Sequence, residues 1–308
     1  LQTIPEVAEL IRRVEDGGCP AAVSGLQPVQ RACVGAAVAA ACGRPAVFLC
    51  GDEREVQVLS ADLETLTGRR PVTLLGREWQ FRPGAVGSRD WERSRLAALY
   101  ALAQGDAPVV VATADGLMAR TLPPETLRSL AITLEVGGQA ELGALAEQLL
   151  SAGYTRCEQV EGVGQFALRG GILDVFSPLM DQPVRCEFFD DEIDSMGAFD
   201  PGTQRRTRNV SSARILPAAE VLPQFTPGGY GGLLEGLDRL ISQAKRRKGS
   251  ETLVQTLEED RERLSASTAF PAMDRYIALI YPVMATAADY FPEDAVVVLS
   301  ESPRVAER

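Results

Sequence analysis

The 308 residues contain no histidine. The commonest general base and the commonest metal ligand are therefore both missing, which excludes Ser-His-Asp, Cys-His and His-metal chemistry. Two places remain where nucleotide chemistry could sit. A phosphate-binding strand-to-helix junction needs glycine amides around the phosphates, a lysine to neutralise them and a hydroxyl for magnesium. The junction near the start of this chain reads Val23, Ser24, Gly25, Leu26, Gln27, Pro28, Val29. It has no lysine and no magnesium hydroxyl, and Pro28 removes an amide. It reads as an ordinary helix start with proline in the first turn. Near the other end, the apolar run 295–299 is followed by Ser300, Glu301, Ser302 and Pro303, where a motor ATPase would place acids for magnesium and water. Glu301 alone reads as a solvated loop carboxylate.

The other reactive groups point to structure. The cysteines at 19, 33, 42, 50, 157 and 186 form no C-x-x-C pair and read as reduced, mostly buried thiols of a cytoplasmic protein, with no metal site. Asp190 and Asp191 read as a turn between strands, with Glu192 and Asp194 on a solvent face. Arg205, Arg206 and Arg208 form a local basic run that reads as a solvated loop, the alternative being that it steers an acidic partner or contacts nucleic acid. Lys245, Arg246, Arg247 and Lys248 suit a helix C-terminus, and Trp79 and Trp91 suit packing. A net charge of −11 argues against a large nonspecific DNA-binding surface. No window approaches the roughly 18 apolar residues of a membrane span.

The elements that must hold these residues change character along the chain. Strand candidates at 21–23, 46–50, 71–75, 108–112 and 130–134 alternate with helical periodicity, the pattern of a parallel sheet with crossover helices. The helix over 28–42 carries a stripe of Val29, Cys33, Ala37 and Ala40, and Gly43 is its expected stop. From 162 to 206 four short strand signals are separated by turn signals, as in an antiparallel meander. Helical patterns return after 217, and 295–299 resembles the strands of the first third. The expected fold is α/β: a parallel-sheet domain built from both ends of the chain (1–134 and 215–308), with an inserted α+β domain (135–214).

Strand alternation assigns faces in the meander. In 183–189, Val184, Cys186 and Phe188 point one way; Arg185, Glu187 and Phe189 point the other. In 165–169, Phe166 and Leu168 point inward, and Gln165, Ala167 and Arg169 outward. Arginine and phenylalanine on one exposed sheet face make good anchors for a partner. The competing expectation pairs the outward arginine with a neighbour such as Glu187 and covers Phe189 with a helix.

The phrases GQFALRGGILDVFSP, PVRCEFFDDEIDSMGAFDPGTQRR, ILPAAE and DYFPEDAVVVLSESPR resemble the UvrB-related N-terminal module of bacterial transcription-repair coupling factors, and the likeness covers essentially the whole chain. The resemblance implies a degenerate P-loop NTPase-like, UvrB-like scaffold. The 23–29 junction falls where UvrB carries its ATP-binding loop, and 300–303 falls where UvrB carries an Asp-Glu-Ser-His box. The stretch 80–95 lacks the aromatic-rich insertion with which UvrB clamps DNA. The resemblance further implies that the inserted domain binds UvrA through Arg169, Arg185 and Phe189, and that this segment has no cofactor of its own. The motor using ATP and magnesium, the contacts with RNA polymerase and double-stranded DNA, and an autoinhibitory C-terminal domain would all lie in the rest of a longer protein. The alternatives are a competent ATP-binding domain acting on DNA, and a DNA-binding module with steep salt dependence.

Overall fold

A computed structural model describes residues 3–76, 89–106, 109–266, 273–283 and 285–307. Trp79 and most of the 80–95 stretch lie outside the described residues. The chain forms two compact units, one from Leu1–Glu78, Ala101–Ala119 and Thr286–Arg308, the other from Trp79–Tyr100 and Arg120–Ala285.

The first unit holds a four-stranded parallel sheet in the order Val296–Leu299, Ala46–Cys50, Val109–Thr113, Val72–Leu74. The last strand of the chain thus joins the first third, as the composition of 295–299 anticipates. Central residues Val47, Val110, Val111 and Ala112 are almost wholly buried, which is why those strands read as continuous apolar runs. The C-terminal strand is an edge, and its Val297 and Leu299 are exposed, so the expectation of a fully buried strand there is corrected. No strand forms at 21–23, which is irregular and runs into the helix Pro28–Cys42. That helix ends at Gly43 with φ 64°, as expected, but its buried face is Ala32, Gly35, Val38 and Ala39, and Val29 is exposed. The small face allows close approach: a Cβ on Gly35 would stand 2.4 Å from the Phe48 ring.

The second unit is organised by a six-stranded sheet, Arg206–Asn209, Glu192–Phe199, Val184–Phe189, Ile172–Val175, Gln165–Arg169, Thr155–Arg156, in that order. It is antiparallel apart from the last pair. Two tight turns set its register. Gly170, at φ 58°, and Gly171 place Arg169 opposite Ile172, and Asp190, also at φ 58°, turns the chain so that Phe189 faces Glu192. One face packs with the helix Leu142–Ser151 in a core that includes Leu149, Phe166, Leu173, Val175 and Cys186.

The division read from the sequence is corrected at both borders of the insertion. Residues 130–134 do not extend the parallel sheet: Ile132–Glu135 pairs antiparallel with Ser212–Ile215, and Leu134, Ala213 and Ile215 enter the meander's core. The segment 215–285, with its helices Gly229–Ala244 and Glu251–Ser265, groups with the second unit, and only Thr286–Arg308 returns to the first. A buried ion pair between Arg95 and Glu220, 3.1 Å, and Tyr281, whose hydroxyl donates to the Glu220 carbonyl at 3.0 Å, tie the unit's outlying segments together. Among the described residues no helix is long and apolar enough to cross a membrane.

Candidate partner-binding site

Leu173 and Val175 fill the core below the meander, so alternation sends Asp174 to the opposite face, where the register sets it between Ala167 and Arg185. Its carboxylate is fully buried and joins two of the three anticipated residues. Arg185 donates from Nε to Oδ1 at 2.7 Å and from Nη2 to Oδ2 at 2.8 Å, while Arg169 donates from Nη2 to Oδ2 at 2.7 Å. Bidentate guanidinium-carboxylate pairing of this kind is strong and directional. Arg185 also lies over the Phe199 ring, 4.6 Å from its centroid, and donates to the Gln204 side-chain oxygen at 3.3 Å. The hydrogen bond with Asp174 holds the Arg185 guanidinium above its ordinary pKa.

Gln204 is delivered by a loop that Asp200 closes: the Thr203 amide and hydroxyl donate to its carboxylate at 2.7 and 2.8 Å. Those bonds hold Asp200 below the usual carboxylate range. Gln204 sits at φ 61° and donates from Nε2 to the Pro201 and Val160 carbonyls. Arg185 is therefore braced on several sides and its side chain is 19% exposed, whereas Arg169 is held by one arm and is 47% exposed.

Phe189, at the strand end beside the Asp190 turn, is 81% exposed, so no helix covers it. The arginines do pair with a neighbour, as the competing expectation has it, but the neighbour is Asp174 and not Glu187: Glu187 accepts from Arg206 at 3.2 Å and from the Ser195 hydroxyl at 2.9 Å. Ala167 is corrected. It is 1% exposed, because this side of the sheet carries a second small core of Val160, Ala167, Phe176 and Phe199. The meander thus has two covered faces, and the arginines emerge beside the second.

Residues 132–221 match the model of the UvrB interaction domain. The chain is 30% identical over 302 residues to the transcription-repair-coupling factor of Bacillus subtilis (strain 168), an alignment covering 97% of this chain and 26% of that protein. The chain is a relative of the transcription-repair-coupling factors. It is 37% identical over 206 residues to the coupling factor of Myxococcus xanthus (64% of this chain, 17% of that protein) and 34% identical over 217 residues to that of Staphylococcus aureus strain MRSA252 (69% and 18%). It spans about a quarter of the length of the Bacillus coupling factor, and the UvrB interaction domain contains Arg169, Arg185 and Phe189.

Outside that domain, the two stretches that the sequence offered for nucleotide chemistry, 23–29 and 300–303, are brought together in the first unit. Gln27 caps the helix, its amide donating to Gln30 Oε1 at 2.8 Å, with Pro28 in the first turn as expected. Ser24, Gly25 and Val29 are exposed. One turn on, Arg31 reaches the end of the strand Val296–Leu299 and the helix Glu53–Thr67: Nη1 donates to the Ser300 hydroxyl at 2.7 Å and Glu55 at 3.2 Å, and Nη2 to Glu301 at 2.9 Å. Ser300 in turn donates to Glu55 at 2.6 Å. Glu301 is thus no free loop carboxylate. At φ 55° it precedes the short helix Ser302–Ala306, which contains Pro303, and Arg304 bridges it to Asp52. Hydrogen bonds from Arg304 and Arg31 hold Glu301 below the usual carboxylate range.

The remaining groups carry little chemistry. Cys50 and Cys186 are buried, Cys19 is exposed and the other three are intermediate, so the expectation of mostly buried thiols is corrected. Burial pushes the Cys50 and Cys186 thiols up to about 12, which removes thiolate character. Among the described residues no group of three His, Cys, Asp or Glu could hold a metal ion. Asp190, Asp191, Glu192 and Asp194 are exposed at the turn. Arg205 and Arg208 are exposed, while Arg206 is spent on Glu187. Trp91 stacks under Arg95 at 5.6 Å. Sequence reasoning missed Asp174, Gln204 and Arg31; the first was marked only by an acid alternating with Leu173 and Val175.

Proposed function

We propose that this chain is the UvrA-docking adaptor segment of a transcription-repair coupling factor, with Arg169, Arg185 and Phe189 as the docking face. The observation that carries the reading is Phe189, an aromatic ring 81% exposed at a strand end of the UvrB interaction domain. A ring left in water offers a large contact area at small entropic cost, and the half-exposed Arg169 guanidinium, with Arg185 braced beside it, adds directional bonds to acceptors on a partner. UvrA is the partner that the resemblance to the coupling factors implies for this domain. In this reading the first unit performs no ATP hydrolysis: the 23–29 junction has no lysine, and the nearby cation Arg31 is engaged by Glu55 and Glu301. The motor that uses ATP and magnesium, and the contacts with RNA polymerase, double-stranded DNA and a masking C-terminal domain, belong to the remainder of the coupling factor.

A pull-down with purified UvrA tests the face. Arg169→Ala, Arg185→Ala and Phe189→Ala are each expected to reduce capture strongly, and retained capture by all three would place the interface elsewhere.

A further inference from the structure

We propose that Asp174, with Gln204 as a second brace, is the positioning residue of the docking face: a buried carboxylate that fixes two arginines in one presentable geometry without touching the partner. The proposal rests on the UvrA reading above. Asp174 is fully buried, so a partner reaches it only through the guanidiniums that cover it. One of its oxygens, Oδ2, accepts from both arginines, and Oδ1 completes the fork with Arg185. Two like charges this close repel each other and swing apart unless an anion stands between them. Asp174 supplies that anion, because Glu187 is engaged by Arg206 and Ser195. Two arginines against one carboxylate leave one positive charge unmatched in the trio.

The arrangement also divides the work between the arginines. Arg185 spends its donors on Asp174 and Gln204 and its face on Phe199, and is mostly covered. Arg169 is tethered by one amino group, and the rest of its fork faces water. Arg169 and Phe189 therefore meet the partner, while Arg185 acts largely as a strut that holds the pair in register. Preorganisation of this kind adds affinity by removing rotamer entropy before binding.

The test uses the whole chain and purified UvrA in a calorimetric titration. Asp174→Asn keeps the shape and removes the charge; it is expected to lower UvrA affinity by about tenfold or more. The near-UV circular dichroism should stay native, and the Arg185 Nε–H resonance should lose its hydrogen-bonded shift. Asp174→Asn should add nothing in an Arg169→Ala, Arg185→Ala background, because its effect runs through those two side chains. Wild-type affinity for Asp174→Asn, when the alanine variants at Arg169, Arg185 and Phe189 lose binding, overturns the proposal and leaves the docking face standing. Wild-type affinity for all four variants overturns the docking face itself. If Asp174→Asn fails to fold, Gln204→Asn asks the same question from outside the core with a residue that tolerates positive φ; a loss of a few fold supports the bracing, and unchanged affinity overturns it.

Discussion

Phe189 and Arg31 are opposite uses of an uncommon side-chain placement. The Phe189 ring is 81% exposed, so truncating it removes almost no folded-state packing. Phe189→Ala should leave the melting temperature within the scatter of surface substitutions, about 0.5 kcal/mol, and weaken UvrA binding by about 1.4 kcal/mol or more, a tenfold loss. Thermal melts and titrations on the same sample separate the two effects. Arg31, in contrast, is partly buried against Glu55, whose side chain is 18% exposed. Arg31→Ala removes that carboxylate's positive partner, leaving it only the Ser300 hydroxyl and the Gly51 amide, and should cost about 1 to 3 kcal/mol in urea unfolding. A pH dependence follows from the same network. Glu301 is held below its usual value of 4.5 by hydrogen bonds from Arg304 and Arg31, so its contribution is present above about that pH and is lost as pH falls through the lower folded value. Melting temperatures from about pH 6 down to about pH 3 should fall for the wild type, and Arg304→Ala should flatten that fall.

At the scale of elements, the helix Pro28–Cys42 depends on a glycine contact. A Cβ on Gly35 would stand 2.4 Å from the Phe48 ring, so Gly35→Ala should destabilise the first unit by about 1 to 3 kcal/mol, read from its denaturant midpoint. The same helix shows where local pattern fails. Its sequence is almost entirely Ala, Val, Gly and Cys after Arg31, with no polar face to mark the other side, so the stripe through Val29 was as legible as the true one through Ala32, Gly35, Val38 and Ala39. The meander was more legible, because period-two alternation and two turn pairs, Gly170 with Gly171 and Asp190 with Asp191, fix both faces and register within a few residues. Even there, Ala167 was misplaced, since its burial needs Val160, Phe176 and Phe199, which only the folded chain brings over it. The pairing of Ile132–Glu135 with Ser212–Ile215 spans the whole meander, a separation that no local signal encodes. Arg169 and Phe189 were readable as outward residues of single strands, but Asp174 required the register of three strands at once.

For the whole molecule, the proposed function is a matter of surface, in a chain that has no histidine and a net charge of −11. Beside the parallel sheet assembled from both ends of the sequence, Arg31, Glu55, Ser300 and Glu301 bind one another, and the proposed docking residues lie in the UvrB interaction domain. Calorimetry with ATP and magnesium should give no binding tighter than about 100 µM, roughly −5.5 kcal/mol; tighter binding would mean that the scaffold retains nucleotide chemistry. The central claim is tested most directly by titrating purified UvrA into the whole chain and into its Phe189→Ala variant in the same buffer without nucleotide. Saturable binding is expected for the wild type, with a loss of about tenfold or more for the variant. Equal affinity for the two proteins, or no binding by the wild type, would contradict it.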